Sequence, residues 1–203
     1  MTAAIVLAGG ASIRFGSDKL LADLDGRPLL HHALDAVASI ANPVIVVIAP
    51  DAPPPPIPDR LAHQVSLMRD AMAHGGPLAG LAAGLVALAD IDRGFDAPAV
   101  VVGGDMPHLV PGVLALLAAT VDADPTIGGA SLEADPPCVL PLAIRPSLAH
   151  PVVDALLRED RRALRALLDR LPMALVAAGE WRSLDPDART LADIDTVADL
   201  GPD

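Results

Sequence analysis

Two short stretches of this chain hold residue types able to handle phosphate. The first, Leu7 to Leu21, reads LAGGASIRFGSDKLL. Gly9, Gly10 and Gly16 let the backbone take positive φ and approach a ligand closely, and successive amides so arranged form a nest for an anion. Arg14 and Lys19 supply cations beside it. Lys19 is the only lysine among 14 basic residues; all the others are arginine. One lysine kept inside a glycine loop suits a site that wants a compact, mobile point charge on a phosphate. The same residues also fit a plain tight turn with Lys19 as an ordinary surface residue. The spacing matches neither GxGxxG nor the P-loop pattern, so neither of those motifs applies. The second stretch, Val100 to Pro107, reads VVVGGDMP. Asp105 follows an apolar run and two glycines, where a carboxylate could hold Mg²⁺, a hard cation that takes few protein oxygens and completes its shell with phosphates. A helix-capping role is the alternative, but Pro111 opens the next helical pattern too far on for Asp105 to cap it.

These loops need strands to position them. Ala3 to Ala8, Val44 to Ile48, Val65 to Met68 and Ala99 to Val102 are short apolar or β-branched runs, the mark of buried strands. Between them lie helical patterns over Leu29 to Ile40, Leu78 to Ala89 and Pro111 to Ala119, the last opened by proline. Repeated strand–loop–helix alternation predicts a parallel sheet with right-handed crossovers. Later the order loosens. Thr126 to Ser131 and Val139 to Ile144 read as an antiparallel pair of strands. Arg161 to Leu171 reads as a helix with Asp160 as N-cap and Pro172 as stop. Met173 to Val176 reads as a last strand, with a short helix near Thr196. The expected fold is a three-layer α/β/α sandwich, mostly parallel and Rossmann-like with an antiparallel addition, in one domain over residues 1–203. Ligands of such sheets sit at the carboxyl ends of the strands. That singles out Gly9 to Asp18, Arg69 to Pro77, and Gly103 to Leu109.

Composition narrows the function. With 52% hydrophobic residues the chain is not disordered, and with 1% aromatics its core must be Ala, Leu and Val. A formal charge of −12 argues against nucleic acid or an anionic membrane as partner. Cys138 is the only cysteine, so no intramolecular disulfide or cysteine zinc site can form. With no basic segment before Ala3 and no long apolar run, a soluble, cytoplasmic location is expected.

Other groupings stay open on residue grounds. Arg158, Arg162 and Arg165, with Arg161 beside them, are spaced for one helical face, either to bind an anionic acceptor or to pair with Glu159 and Asp169 in solvent. Asp193 and Asp195 could add a metal ligand; equally, Asp195 or Thr196 could cap the last helix. His31 and His32, adjacent on a helix, point apart and make poor joint ligands. His108 beside the acidic loop is a minor candidate for an acceptor site, and Trp181 reads as a packing anchor.

Taken together, the Leu7–Leu21 loop, GGPLAGL from Gly75 to Leu81 and GGDMP from Gly103 to Pro107 resemble the molybdenum cofactor guanylyltransferase family of nucleotidyltransferases. DRRALRALLDRLP (Asp160 to Pro172) and DIDTVADL (Asp193 to Leu200) resemble later segments of the same proteins, so the likeness spans most of the chain in order. The resemblance implies a nucleotide-diphospho-sugar transferase-like fold and Mg²⁺-dependent transfer of GMP from GTP to molybdopterin. It implies that Leu7, Ala8, Gly9, Gly10 and Gly76 meet the nucleotide, Lys19 and Arg14 its phosphates, Asp70 the base and Asp105 the metal. Arg161, Arg162 and Asp195 would meet the acceptor, and molybdoenzymes or cofactor-pathway proteins would be transient partners. Two departures stand out. Ile48 leads into Ala49-Pro50-Asp51 where the family often has an Asn-containing turn, and Asp193-Ile194-Asp195-Thr196 is closer to the cytidylyltransferase pattern. Related readings are therefore cytidylyl transfer to molybdopterin, or guanylyl transfer to another small phosphorylated acceptor. A reading of another class is a non-catalytic nucleotide-binding module.

Overall fold

The computed structural model describes residues 1–9, 19–72, 75–135 and 138–200. In chain order the strands are β1 (Ala3–Ala8), β2 (Asp23–Leu24), β3 (Arg27–Pro28), β4 (Val44–Ile48), β5 (Val65–Arg69), β6 (Ala99–Gly103), β7 (Gly129–Leu132), β8 (Leu142–Ile144) and β9 (Met173–Val176). The helices are α1 (Leu29–Ala38), α2 (Gly76–Ile91), α3 (Pro111–Ala123), α4 (Pro146–Arg158), α5 (Leu164–Leu168) and α6 (Ala178–Trp181). β2 and β3 form a small hairpin. The other strands make one seven-stranded sheet in the order β5-β4-β1-β6-β8-β7-β9. β5, β4, β1 and β6 run parallel, and β8 is antiparallel to both its neighbours.

The apolar runs are continuous because both faces of the sheet are covered. Alternate residues of β1 feed two cores. Ala4 and Val6 share one with Leu34 of α1 and Leu117 of α3, while Ala3 and Ile5 share the other with Leu85 of α2 and Val153 of α4. The four longer helices start at proline: Pro28 precedes α1, and prolines open the first turns of α2, α3 and α4. Trp181, the one tryptophan, is fully buried and donates its indole N–H to Glu133 O at 3.0 Å.

The later half departs from the sequence expectation. The paired strands shift to Gly129–Leu132 and Leu142–Ile144 but are antiparallel as expected. Residues 146–158, given no element above, form α4 despite Pro151 inside it. The helix expected over Arg161 to Leu171 shrinks to α5, with Ala163 and not Asp160 at its start. Asp160 instead follows the end of α4, at φ +58, a left-handed conformation that stops a helix. Arg158, Arg162 and Arg165 therefore sit on two helices and a link, not on one face.

Candidate active site

From β1 the chain first winds outward to β4 and β5, then returns across to β6 on β1's other side. The carboxyl ends of β1 and β6 thus flank the point where the winding reverses, the usual place for a ligand in such a sheet. Past that edge the backbone stays knitted: Gly104 N donates to Leu7 O at 2.9 Å and Asp70 N to Ile48 O at 2.8 Å. A cavity of about 670 Å³ opens there. Leu7, Ala8 and Gly9 from the end of β1 wall it, with Asp70 beyond β5 and Gly76 opening α2; Lys19 and Asp105 line it too. Gly10 and Arg14, expected at the same place, lie outside the described residues.

Gly76 has to be glycine on two counts. Its φ is +76, and a Cβ there would stand 3.0 Å from the carbonyl oxygen of Arg162. That carbonyl accepts the amide of Leu78 at 3.1 Å, which ties the first turn of α2 to the α4–α5 link. The positive end of a 16-residue helix therefore borders the cavity.

Lys19 is held between two carboxylates. Its Nζ donates to Asp105 Oδ2 and to Asp195 Oδ1, each at 2.9 Å, with only 13% of its side chain exposed. Burial disfavours its charge, but the hydrogen bonds and charges of Asp105 and Asp195 outweigh that and raise its pKa. Asp105 packs back over Gly103, where a Cβ would lie 2.3 Å from Asp105 Oδ1, so a side chain at 103 would displace this carboxylate. Asp193 nearby has a raised pKa, through burial first and then the charges of Asp195 and Asp105. Two carboxylate oxygens converging on one cationic nitrogen form a hard-oxygen donor set that fits Mg²⁺, with the ammonium as its stand-in.

The tail that delivers Asp195 is fastened step by step. The buried Asp185 accepts the amides of Arg189 and Thr190, at 3.1 and 2.7 Å, and Thr190 Oγ1 accepts Val110 N at 3.1 Å. Ile194 N then donates to Asp105 O at 3.0 Å. Asp199 Oδ2 accepts Asp195 N, Thr196 N and Thr196 Oγ1, at 3.0, 2.7 and 2.9 Å. These bonds hold the Asp199 carboxyl below the usual range, the Thr196 amide contributing most. Thr196 therefore stands at the N-cap of the closing turn, as the sequence allows, and Asp199 three residues on reaches back to its amide and hydroxyl; the Asp195 side chain turns to Lys19 instead.

A second cavity, of about 690 Å³, adjoins the first and shares Pro77, Asp105 and Leu140 with it. Arg162, Arg165, Asp193 and Cys138 are among its walls; burial raises the Cys138 thiol pKa. Arg162 is oriented by Asp160, whose Oδ1 accepts its Nε at 2.9 Å and its Nη2 at 2.7 Å. Of the expected acceptor group, Arg162 thus walls the second cavity and Asp195 the first, while Arg161 walls neither. Glu159 pairs with Arg170, not with the arginines of the supposed face. His108 stands apart with Arg189, its pKa lowered by burial and then by the charge of Arg189. His31 and His32 bond separately, to Pro56 O and Leu24 O. Arg69, which the sequence marks only as the head of a loop, ends β5 and reaches the loop after β4; its Nη1 donates to Pro50 O at 2.6 Å.

A nucleotide-sized cavity at the reversal point of a parallel sheet, with a helix N-terminus, a clamped lysine and converging carboxylates, defines a phosphate-handling α/β protein. Comparison with known proteins narrows the class. Residues 4–175 match the family model described as the MobA-like NTP transferase domain. The chain is 33% identical over 201 residues to a probable molybdenum cofactor guanylyltransferase of Mycobacterium ulcerans (strain Agy99), covering 98% of this chain and 90% of that one. It is 32% identical over 213 residues to another so named in Chloroflexus aggregans (strain MD-66 / DSM 9485), covering 98% and 92%. Among solved structures, molybdopterin-guanine dinucleotide biosynthesis protein A of Archaeoglobus fulgidus superposes with a TM-score of 0.74 at 22% identity, over 98% of this chain and 95% of that one. The 2-C-methyl-D-erythritol 4-phosphate cytidylyltransferase of Thermus thermophilus superposes at 0.68 with 18% identity, over 97% and 94%. These two likenesses show a shared fold. The chain belongs to the MobA-like NTP transferase family and is a nucleotidyltransferase. No helix among the described residues is long and apolar enough to cross a membrane.

Proposed function

We propose that this enzyme transfers GMP from GTP to the molybdopterin form of the molybdenum cofactor and releases pyrophosphate. The observation that carries the reading is the Asp105–Lys19–Asp195 clamp in the first cavity, whose Asp105 also lines the second. The first cavity takes the nucleotide. The base lies toward Asp70, whose carboxylate can accept both the N1–H and the exocyclic amine of guanine; Oδ1 already accepts Met72 N at 2.9 Å, which aims the group. The triphosphate lies along the end of β1 toward Lys19. The second cavity takes the acceptor, its phosphate drawn by Arg162.

In the reaction an acceptor phosphate oxygen attacks the α-phosphorus of GTP, one P–O bond forms, and the bond to the bridging oxygen of the β-phosphate breaks in line with it. An ionised phosphate nucleophile needs no strong general base, so the protein works by positioning and by neutralising charge. Lys19, released from its carboxylates as phosphate arrives, compensates the negative charge gathering on the leaving pyrophosphate. Asp105, with Asp195 facing it, would hold Mg²⁺. When bound, that ion supplies Lewis-acid stabilisation of the phosphate oxygens.

The Asp193–Thr196 motif favours a second reading, cytidylyl transfer to the same acceptor. One experiment separates the two. Purified enzyme with Mg²⁺ and molybdopterin cofactor is given each of the four NTPs in turn, pyrophosphate release is followed, and the product is weighed by mass spectrometry. A guanine dinucleotide formed from GTP alone is the expected result. A cytosine dinucleotide supports the second reading, and no dinucleotide from any NTP overturns both.

A further inference from the structure

The loop after β4 is short of donors. Pro50, Pro53, Pro54, Pro55, Pro56 and Pro58 crowd into it, and none of them has an amide N–H. Within it Ala52 N donates to Ala49 O at 3.2 Å, and other carbonyls find partners on other elements. At the far end His31 Nε2 donates to Pro56 O at 2.9 Å. At the near end a single nitrogen, Arg69 Nη1, gathers three carbonyls: Pro50 O at 2.6 Å, Ala52 O at 2.9 Å and Ala49 O at 3.3 Å. A guanidinium suits this task because it stays charged and presents several donors in a fixed plane.

The loop held in this way is a wall of the nucleotide cavity, lined by Ala49, Pro50 and Asp51 together with Asp70. Arg69 ends β5 in register with Ile48, the residue from which the loop departs, and Asp70 follows directly, its amide bonded to Ile48 O at 2.8 Å. One strand end thus sets both the guanidinium that holds the wall and the carboxylate that faces the cavity. We propose that Arg69 is a positioning residue for nucleotide selection. It fixes the spacing between the Ala49–Asp51 wall and Asp70, and it keeps the carbonyls of Ala49, Pro50 and Ala52 occupied. The N–H groups of an incoming base are then read by side-chain carboxylate, not by loose backbone acceptors that any base bearing an amine could use. This deepens the nucleotide site proposed above and rests on it.

The test compares wild type with Arg69→Ala, Arg69→Gln and Arg69→Lys. Steady-state kinetics and calorimetric binding are run for each of the four NTPs with Mg²⁺, and thermal melting serves as a fold control. Arg69→Ala should raise KM for GTP about tenfold, the size of effect expected from losing charge-assisted hydrogen bonds, with kcat within about twofold. Its preference for GTP over ATP and CTP, both of which carry an exocyclic amine, should narrow. Arg69→Lys should recover part of the loss, because an ammonium still serves carbonyls, and Arg69→Gln less. A folded Arg69→Ala enzyme with wild-type KM and selectivity, or one that loses kcat alone, overturns the inference and leaves the proposed function standing. A wild-type enzyme that binds none of the four NTPs overturns the proposed function, and the inference with it.

Discussion

The two cavities are built by different means. The first cavity, proposed above for the nucleotide, belongs to the parallel part of the sheet, where strand ends, glycines and a helix N-terminus bring backbone to its walls and the side chains of Lys19, Asp70, Asp105 and Asp195 complete them. The second cavity is lined mostly by the later half: Arg162 before α5 and Arg165 within it, Cys138 and Leu140 from a loop, and Asp193 from the tail. Backbone recognition tolerates change in sequence because every residue but proline has an amide, whereas side-chain recognition follows the residue. The first arrangement suits a substrate whose phosphates are always the same, the second an acceptor that can differ between related enzymes. Asp105 lines both cavities, and holds Lys19, with Asp195 on the other side, in the first.

Breaking the meeting point should cost most. Asp105→Asn keeps the shape and removes the charge; Lys19→Ala removes the cation. Each should lower turnover about a thousandfold, the scale for losing a group that stabilises developing phosphate charge. Each variant should still unfold cooperatively, its melting lowered by no more than a few degrees. Pyrophosphate-release kinetics on either purified variant checks this, and near-normal turnover would remove the clamp from the mechanism.

Next in size is the division between the cavities themselves. Arg162→Ala should raise KM for the acceptor about tenfold and leave KM for GTP unchanged, since it is the backbone carbonyl of Arg162 that supports α2. Gly76→Ala should not respect the division. It strains a positive φ and presses on that same carbonyl, at a cost of about 1–2 kcal/mol in stability, and it should raise both KM values. Steady-state kinetics in each substrate, with chemical denaturation of Gly76→Ala, reads the outcome. Equal effects of Arg162→Ala on both substrates would merge the two cavities into one.

Asp199→Ala probes the delivery of Asp195 more gently. Its three hydrogen bonds hold the turn that carries Asp195, yet the group is exposed and Ile194 remains bonded to Asp105. A loss of about fivefold in kcat is expected, with Asp199→Asn intermediate because an amide oxygen still accepts. Unchanged kcat in Asp199→Ala would mean that Lys19 and the Ile194–Asp105 bond hold Asp195 without help from Asp199.

How far this division could be read in the sequence follows from the same physics. The parallel half was legible because strands buried on both faces read as unbroken apolar runs, and Lys19 and Asp105 stood out by type and by place at strand ends. Asp195 meets Lys19 across 176 positions, and no local pattern announces such a contact. α4 was missed because Pro146 and Pro151 read as breakers, although the first opens the helix and the second is accommodated inside it. The supposed arginine face failed at Asp160, whose left-handed backbone separates α4 from α5. Arg69 carried no signal of its own, because what it holds are backbone carbonyls of a distant loop.

The smallest effect concerns charge at the clamp and can be read from stability alone. Burial pulls the Lys19 pKa down, but Asp105 and Asp195 together carry it above the ordinary 10.5. For a base raised in the folded state, the stabilisation is fully present below the unfolded value and is lost as pH rises through the folded one. Asp193 titrates in a different window. Burial, with Asp195 and Asp105, raises its carboxyl above 3.8, so its contribution falls as pH climbs through the window above that value and is constant at alkaline pH. The difference in melting temperature between wild type and Lys19→Met should therefore be flat from about pH 7 to about pH 10 and shrink above that, as the ammonium of wild type discharges. A difference that stays constant to higher pH would mean that Lys19 contributes by packing its chain, not by its charge, and the electrostatic account of the clamp would fail there.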